Sequence, residues 1–295
     1  MRGNLVLYSP QEIFNIFWSF ASLKYRPIDI IEEATRELGI RGSEFQGLEF
    51  SGMMWSLSKI LEHSNSVGEE RIGRSLLEDL MAAVHRELPK HIQSLEASQL
   101  AMATFGTGMI ASLHGELDME ASLVDAIFGR VLKLLQKDTM SVASLNSILE
   151  GVYLFHTPVP PKINEEIQTQ LSNGILAGTS LWEICDLGFY LSQTSLTDNA
   201  ANVLMHIEHN EIKHGKLTPR GAVMLFCTMD ACNIYPECIV SKATSTLTKL
   251  SPKYNFTYKW MQSLAVVRVR LPAKISLRLT MHPQIESRME KVSKL

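Results

Sequence analysis

Ile13, Phe14, Ile16, Phe17, Phe20 and Leu23 follow one another at the spacing that lines one side of an α-helix. Ser9-Pro10-Gln11-Glu12 stands directly before them. It reads as a capping box, with Ser9 as the cap, Pro10 at the first helical position and Glu12 reaching back to the cap backbone. A second apolar series, Ile28, Ile31, Ala34 and Leu38, begins after Pro27 and is stopped by Gly39 and Gly42. The pair predicts a helical hairpin. The pattern then starts again. Phe50, Met53, Met54, Leu57, Ile60 and Leu61 line one helix; Ile72, Leu76, Leu80, Val84 and Leu88 line its partner, which Pro89 ends.

Further first helices are predicted over 97–113, 142–155, 181–192, 219–233 and 256–268. Their partners are predicted over 119–136, 162–171, 198–211, 238–250 and 274–291, the last of these broken by Pro283. Thr218-Pro219 and Ser251-Pro252 read as further cap-proline starts. The first helices recur every 35 to 50 residues. A single amphipathic hairpin leaves its apolar face in water, whereas neighbouring hairpins cover it. The expected fold is therefore all-α, an α-solenoid of about seven stacked hairpins forming one helical-repeat domain over 1–295. Small residues inside the first helices (Ser19, Ala21, Ser56, Ser58, Gly106, Gly108, Gly151 and Gly188) fit close helix contact. Each interior glycine costs of order 1 kcal/mol of helix propensity, which packing must offset. Val266-Val-Arg-Val-Arg-Leu271 alternates like a strand, but it continues the face of Trp260, Met261 and Leu264, so helix is the favoured reading.

Composition agrees with a folded chain: 45% of residues are hydrophobic and 20% charged. Charge changes the picture more. The net charge is only −3, but Lys242 to Leu295 holds eleven Lys/Arg against two acids, leaving +9 there and −12 on the rest. Such a split points to a polyanion at the basic end, acidic repeats over about 9–241, and a basic repeat region over about 242–295. The plainer alternative is a solvated basic terminus. The candidate phosphate contacts are Lys253, Lys259, Arg268, Arg270, Lys274 and Arg278, with Tyr254, Phe256, Tyr258 and Trp260 interleaved among the first of them.

No nucleotide-binding loop, nucleophile elbow or H-E-x-x-H pattern occurs, and no catalytic residue, metal ligand or cofactor is assigned. Phe105-Gly-Thr-Gly108 carries only G-x-G inside a helical pattern and reads as helix packing. His206, His209 and His214 gather near a helix end, where they and Lys213 suit the helix dipole. The acid pairs Glu32-Glu33, Glu69-Glu70 and Glu165-Glu166 diverge around their helices and read as solvated faces. Cys185, Cys227, Cys232 and Cys238 form no C-x-x-C pair and read as reduced, buried thiols. No apolar run is long enough for a membrane span. Trp18, Trp55, Trp182 and Trp260 all fall in first helices; core packing is the favoured reading, base stacking the alternative.

Asn15-Ile-Phe-Trp-Ser-Phe-Ala-Ser-Leu23 is similar to Gly52-Met-Met-Trp-Ser-Leu-Ser-Lys-Ile60, with Trp18 and Trp55 37 residues apart. These segments, clearest in Met54-Trp-Ser-Leu-Ser-Lys-Ile-Leu61, resemble the first-helix motif of octotricopeptide/heptatricopeptide-like repeats in organellar proteins of FAST-kinase-like or RAP-domain architecture. The resemblance covers about residues 9–88. It implies a mitochondrial or plastid RNA-associated protein with no kinase activity, either handling organellar RNA or built into an organellar ribosome. A RAP domain is not apparent at the C-terminal end, and the slightly acidic chain departs from a free-standing RNA reader. A structural part of a mitochondrial ribosome, held between ribosomal RNA and neighbouring proteins, fits this combination. The rival expectation is a protein scaffold, such as an accessory subunit of a mitochondrial complex, without RNA contact.

Overall fold

The computed structural model describes residues 5–62, 73–114, 119–211, 216–250, 254, 258–276, 279, 281 and 283–293. Among these residues every regular element is helical, so the fold is all-α. The alternating segment before Leu271 is helix, as its flanking context indicates. The chain packs as two units, Met1–Glu166 and Ile167–Leu295.

The first unit runs α1 (Pro10–Leu23), α2 (Ile28–Arg41), α3 (Gly47–Glu62), α4 (Arg74–His91), α5 (Ala97–His114), α6 (Ala121–Gln136) and α7 (Val142–Leu154). Ser9 caps α1 as its sequence requires: the Glu12 N–H donates to Ser9 Oγ, and the Ser9 N–H donates to Glu12 Oε2 at 2.8 Å. Helices of the first kind pack on one another, α1 on α3, α3 on α5 and α5 on α7. Helices of the second kind do likewise, α2 on α4 and α4 on α6, while α4 and α6 also pack on α5. The α2–α3 and α4–α5 connections repeat one device. Each is a short 3₁₀ turn, Gly42–Glu44 or Ile92–Ser94, ending on a buried Phe45 or Leu95.

Close backbone approach sets this stack. A Cβ on Gly106 would stand 2.5 Å from the Met54 carbonyl carbon, and one on Gly108 2.7 Å from the Gly151 carbonyl oxygen. Helices α3, α5 and α7 are therefore in contact through their backbones at the expected small residues. Ser19 departs from the expectation: it faces solvent and donates to the Asn15 carbonyl. Two stop signals also act differently. Gly39 lies inside α2, which runs to Arg41, and Pro89 lies inside the last turn of α4, which runs to His91. Near a helix end few hydrogen bonds remain to be lost, so a single breaker does not stop the helix at once.

Helix α8 (Pro161–Ser172) holds the boundary between the units. The second unit contains α9 (Leu181–Gln193), α10 (Thr197–His206) continued by a π turn at Ile207–Glu211, α11 (Pro219–Cys232), α12 (Glu237–Thr248), α13 (Tyr258–Arg270), α14 (Ala273–Ser276) and α15 (Pro283–Ser293). Thr218 caps α11 through its hydroxyl, which accepts from the Gly221 N–H at 3.1 Å. Pro283 opens α15, and the last predicted partner is in two pieces. Helix α11 packs on both α9 and α13, α10 packs on α9 and α11, and α15 covers α13. Ser251-Pro252 lies outside the described residues.

Candidate nucleic-acid interface

Helix α13 carries the first basic positions into the fold because its apolar face, Trp260, Met261, Leu264 and Val267, is buried. Gln262, Val266, Val269 and Arg270 face solvent. Arg268 and Arg270 end the helix, where cations suit the negative end of the dipole. Their surroundings differ. Arg268 Nη2 stands 3.0 Å from Glu286 Oε1, the two side chains each about one third exposed, which ties α13 to α15. The same carboxylate accepts from the Met281 N–H at 3.3 Å. Arg270 is two-thirds exposed and only approaches Asp230 of α11 at 3.8 Å. Arg270 is thus the more exposed and more loosely paired of the two, whereas Arg268 is tied to Glu286.

The other predicted contacts are spread along the chain. Lys259 and Lys274 are positions on α13 and α14, and Lys253 and Arg278 lie outside the described residues. Arg288 of α15 donates to the Tyr254 carbonyl at 3.2 Å.

A second aromatic–basic arrangement lies at the start of α11. The Arg220 guanidinium lies 5.0 Å over the Trp260 ring, and Nη2 stands 3.4 Å from Asp186 Oδ1 of α9. The Trp260 ring also packs on Phe189, 5.5 Å between centroids. One turn before Asp186, Trp182 is 54% exposed. The tryptophans thus divide. Trp260 is core and Trp55 half-buried, but Trp18 and Trp182 are not core residues. Trp18 stacks on Trp55 at 4.5 Å, and Lys59 of the next turn lies over Phe105 at 4.5 Å. No periodicity rule separates Trp182 from Trp260, since both occupy the opening turn of a first helix.

The histidines read as helix-end groups. His209 Nδ1 lies 2.7 Å from the Met205 carbonyl and His206 bonds Asn210; His214 lies outside the described residues. Among the described residues no group of three His, Cys, Asp or Glu side chains converges as a metal site. Glu33 is not simply solvated, since it accepts from the Leu5 N–H at 2.7 Å; Glu69 and Glu70 lie outside the described residues. Burial pushes the Cys185 thiol well up and the Cys227 thiol to about 12, so both stay protonated. Cys238 is exposed, unlike the buried pair.

Two open clefts mark the first unit. One, of about 550 Å³, lies between α2 and α4 and is lined by Glu32, Arg36, Asp79 and Arg86 among others. The other, of about 520 Å³, lies beside Arg130 and Lys137; Arg130 there donates twice to the Leu95 carbonyl. Neither holds a basic residue predicted from sequence. Among the described residues no helix is long and apolar enough to cross a membrane.

The arrangement defines a class, an all-helical protein whose alternate helices stack within each unit. Comparison of the sequence with protein-family models and with curated proteins gives no match.

Proposed function

We propose that this chain is a non-catalytic, RNA-associated helical-repeat protein of an organellar ribonucleoprotein, a mitochondrial ribosome subunit, with the plastid as the alternative compartment. The packing of alternate helices supports a repeat reading, because each helix of the row covers the apolar side of the next. In this reading the hairpins form an α-solenoid of the octotricopeptide/heptatricopeptide-like kind. Its acidic repeats meet proteins, and its basic end binds phosphates of ribosomal RNA.

The observation that carries the RNA contact is the charge split, +9 over residues 242–295 against −12 elsewhere. The test is salt-dependent binding of a structured RNA to the full chain. Arg270→Glu with Lys274→Glu leaves the Arg268–Glu286 tie intact. It is expected to weaken binding uniformly across RNA sequences and to reduce the salt slope by about 1 for each phosphate that is no longer neutralised. Unchanged binding rejects these residues as the site.

The acidic majority of the chain favours the second reading, a protein scaffold of a mitochondrial complex. Co-sedimentation from an organelle lysate separates the two: partners lost after ribonuclease support the ribonucleoprotein, and partners retained in full support the scaffold.

A further inference from the structure

We propose that Trp182 and Arg220, with Trp260 beneath the guanidinium, form a site for unpaired nucleotides of single-stranded RNA. The proposal rests on the RNA-associated reading above and gives it a second contact, away from the α13 terminus.

The geometry begins with α9. Its first turn is fixed by a capping box, in which Ser180 and Glu183 hydrogen-bond each other's side chain and backbone. Trp182 therefore stands on an anchored backbone, yet its indole is 54% exposed. Trp182 and Asp186 are four residues apart on one helix and share a face, roughly 6 Å from each other. Arg220 reaches Asp186 from α11 at 3.4 Å. Asp186 thus links the two residues, to Arg220 by the ion pair and to Trp182 by their shared helix face.

Arg220 is held on two sides. Trp260 lies 5.0 Å beneath its plane and Asp186 fixes its edge, while 47% of the side chain remains exposed. Contacts on two sides restrict its rotamers before any ligand arrives, and about half of the side chain remains accessible. The nearby acids are engaged: the Asp186 side chain is 9% exposed and paired with Arg220, and Glu183 caps Ser180. Lys216, two residues before the Thr218 cap, is exposed and adds a cation at this end of α11.

An exposed indole on the helix face whose carboxylate orients a guanidinium matches a nucleotide with a free base. The base stacks on the ring and the adjoining phosphate meets the fork. Every base has a π face, so such a site tolerates sequence, whereas paired bases hide those faces within a duplex.

The test measures binding of the full chain to a fluorescently labelled single-stranded oligoribonucleotide and to its duplex. Trp182→Ala and Arg220→Gln are each expected to lower single-strand affinity by about fivefold or more. Duplex affinity stays unchanged, Trp182→Phe restores part of the loss, and Trp18→Ala in the first unit has no effect. If the wild type binds and both variants bind equally well, the site is wrong while the RNA reading stands. No RNA binding by the wild type overturns both. Loss of a protein partner in Trp182→Ala with RNA affinity intact also overturns the site, assigning the indole to a protein contact.

Discussion

Gly151 of α7 sits so close to α5 that a Cβ there would stand 2.5 Å from the Thr104 carbonyl oxygen. Gly106 makes the equivalent approach to the Met54 backbone of α3. These are contacts between backbones, with no flexible side-chain end to move aside. Alanine at either position gains up to about 1 kcal/mol of helix propensity but forces two helices apart, which costs roughly 1–3 kcal/mol. Gly106→Ala and Gly151→Ala are therefore expected to destabilise the first unit in urea unfolding. Gly129→Ala in α6, where nothing lies within 4 Å of the added carbon, is expected to be neutral or stabilising. Equal effects at all three positions would show that helix propensity, not contact, governs them.

Glu87 of α4 gives a pH-dependent prediction. Burial raises its pKa, but hydrogen bonds from Lys90 and Arg86, both at 2.7 Å, outweigh burial and hold it below the usual carboxylate value. A carboxylate depressed in the folded state stabilises fully above its unfolded pKa. That contribution disappears as the pH falls through the folded value. The stability difference between wild type and Glu87→Gln is thus expected to be largest near neutrality and to shrink below about pH 4.5. Denaturant midpoints measured from pH 7 to pH 3 give the comparison, and a difference that grows on acidification would contradict the sign.

Thr218 supports α11 through one hydroxyl bond to the Gly221 N–H. Thr218→Ala is expected to cost about 1 kcal/mol, and Thr218→Ser much less, because serine keeps the accepting oxygen. Thermal unfolding of the two variants separates a cap from a bulk effect.

The two stacked indoles of the first unit differ in burial, Trp18 being 40% exposed while Trp55 is half-buried. Trp18→Ala removes the stack and only part of a buried surface, an expected loss of about 1–2 kcal/mol. Trp55→Ala removes the same stack and the more buried ring, and is expected to cost more. Denaturant midpoints compare the two, and equal losses would show that the shared stack, not burial, dominates.

Thiol reactivity follows exposure. Cys238 is expected to react first with a thiol reagent in the native protein, then Cys232, whose pKa is pushed up to about 11 by burial and by Asp198. Cys185 and Cys227 are expected to react only on unfolding. Counting modified thiols against time checks the order.

Helix positions and caps were legible along the chain because they depend on neighbours three and four residues away. The Ser9 capping box, the Thr218 cap and the break at Pro283 all stand where the residues place them. The small-residue pattern located Gly106, Gly108 and Gly151, though not which backbone each would meet. Of the proposed phosphate contacts, the sequence showed that Arg268 and Arg270 lie in a basic segment. It did not show that Glu286 takes Arg268 at 3.0 Å while Arg270 stays two-thirds exposed, 3.8 Å from Asp230.

Local hydrogen bonding and apolar periodicity, both written within a turn or two of chain, determined that this protein is helical and where its helices begin. Which side of each helix is covered depends on helices far away in sequence. Only the tertiary structure therefore decided that Trp260 is buried while Trp182 is open, and that Arg220 lies between an indole and a carboxylate. A periodic pattern names an apolar face, but burial belongs to whatever packs against it.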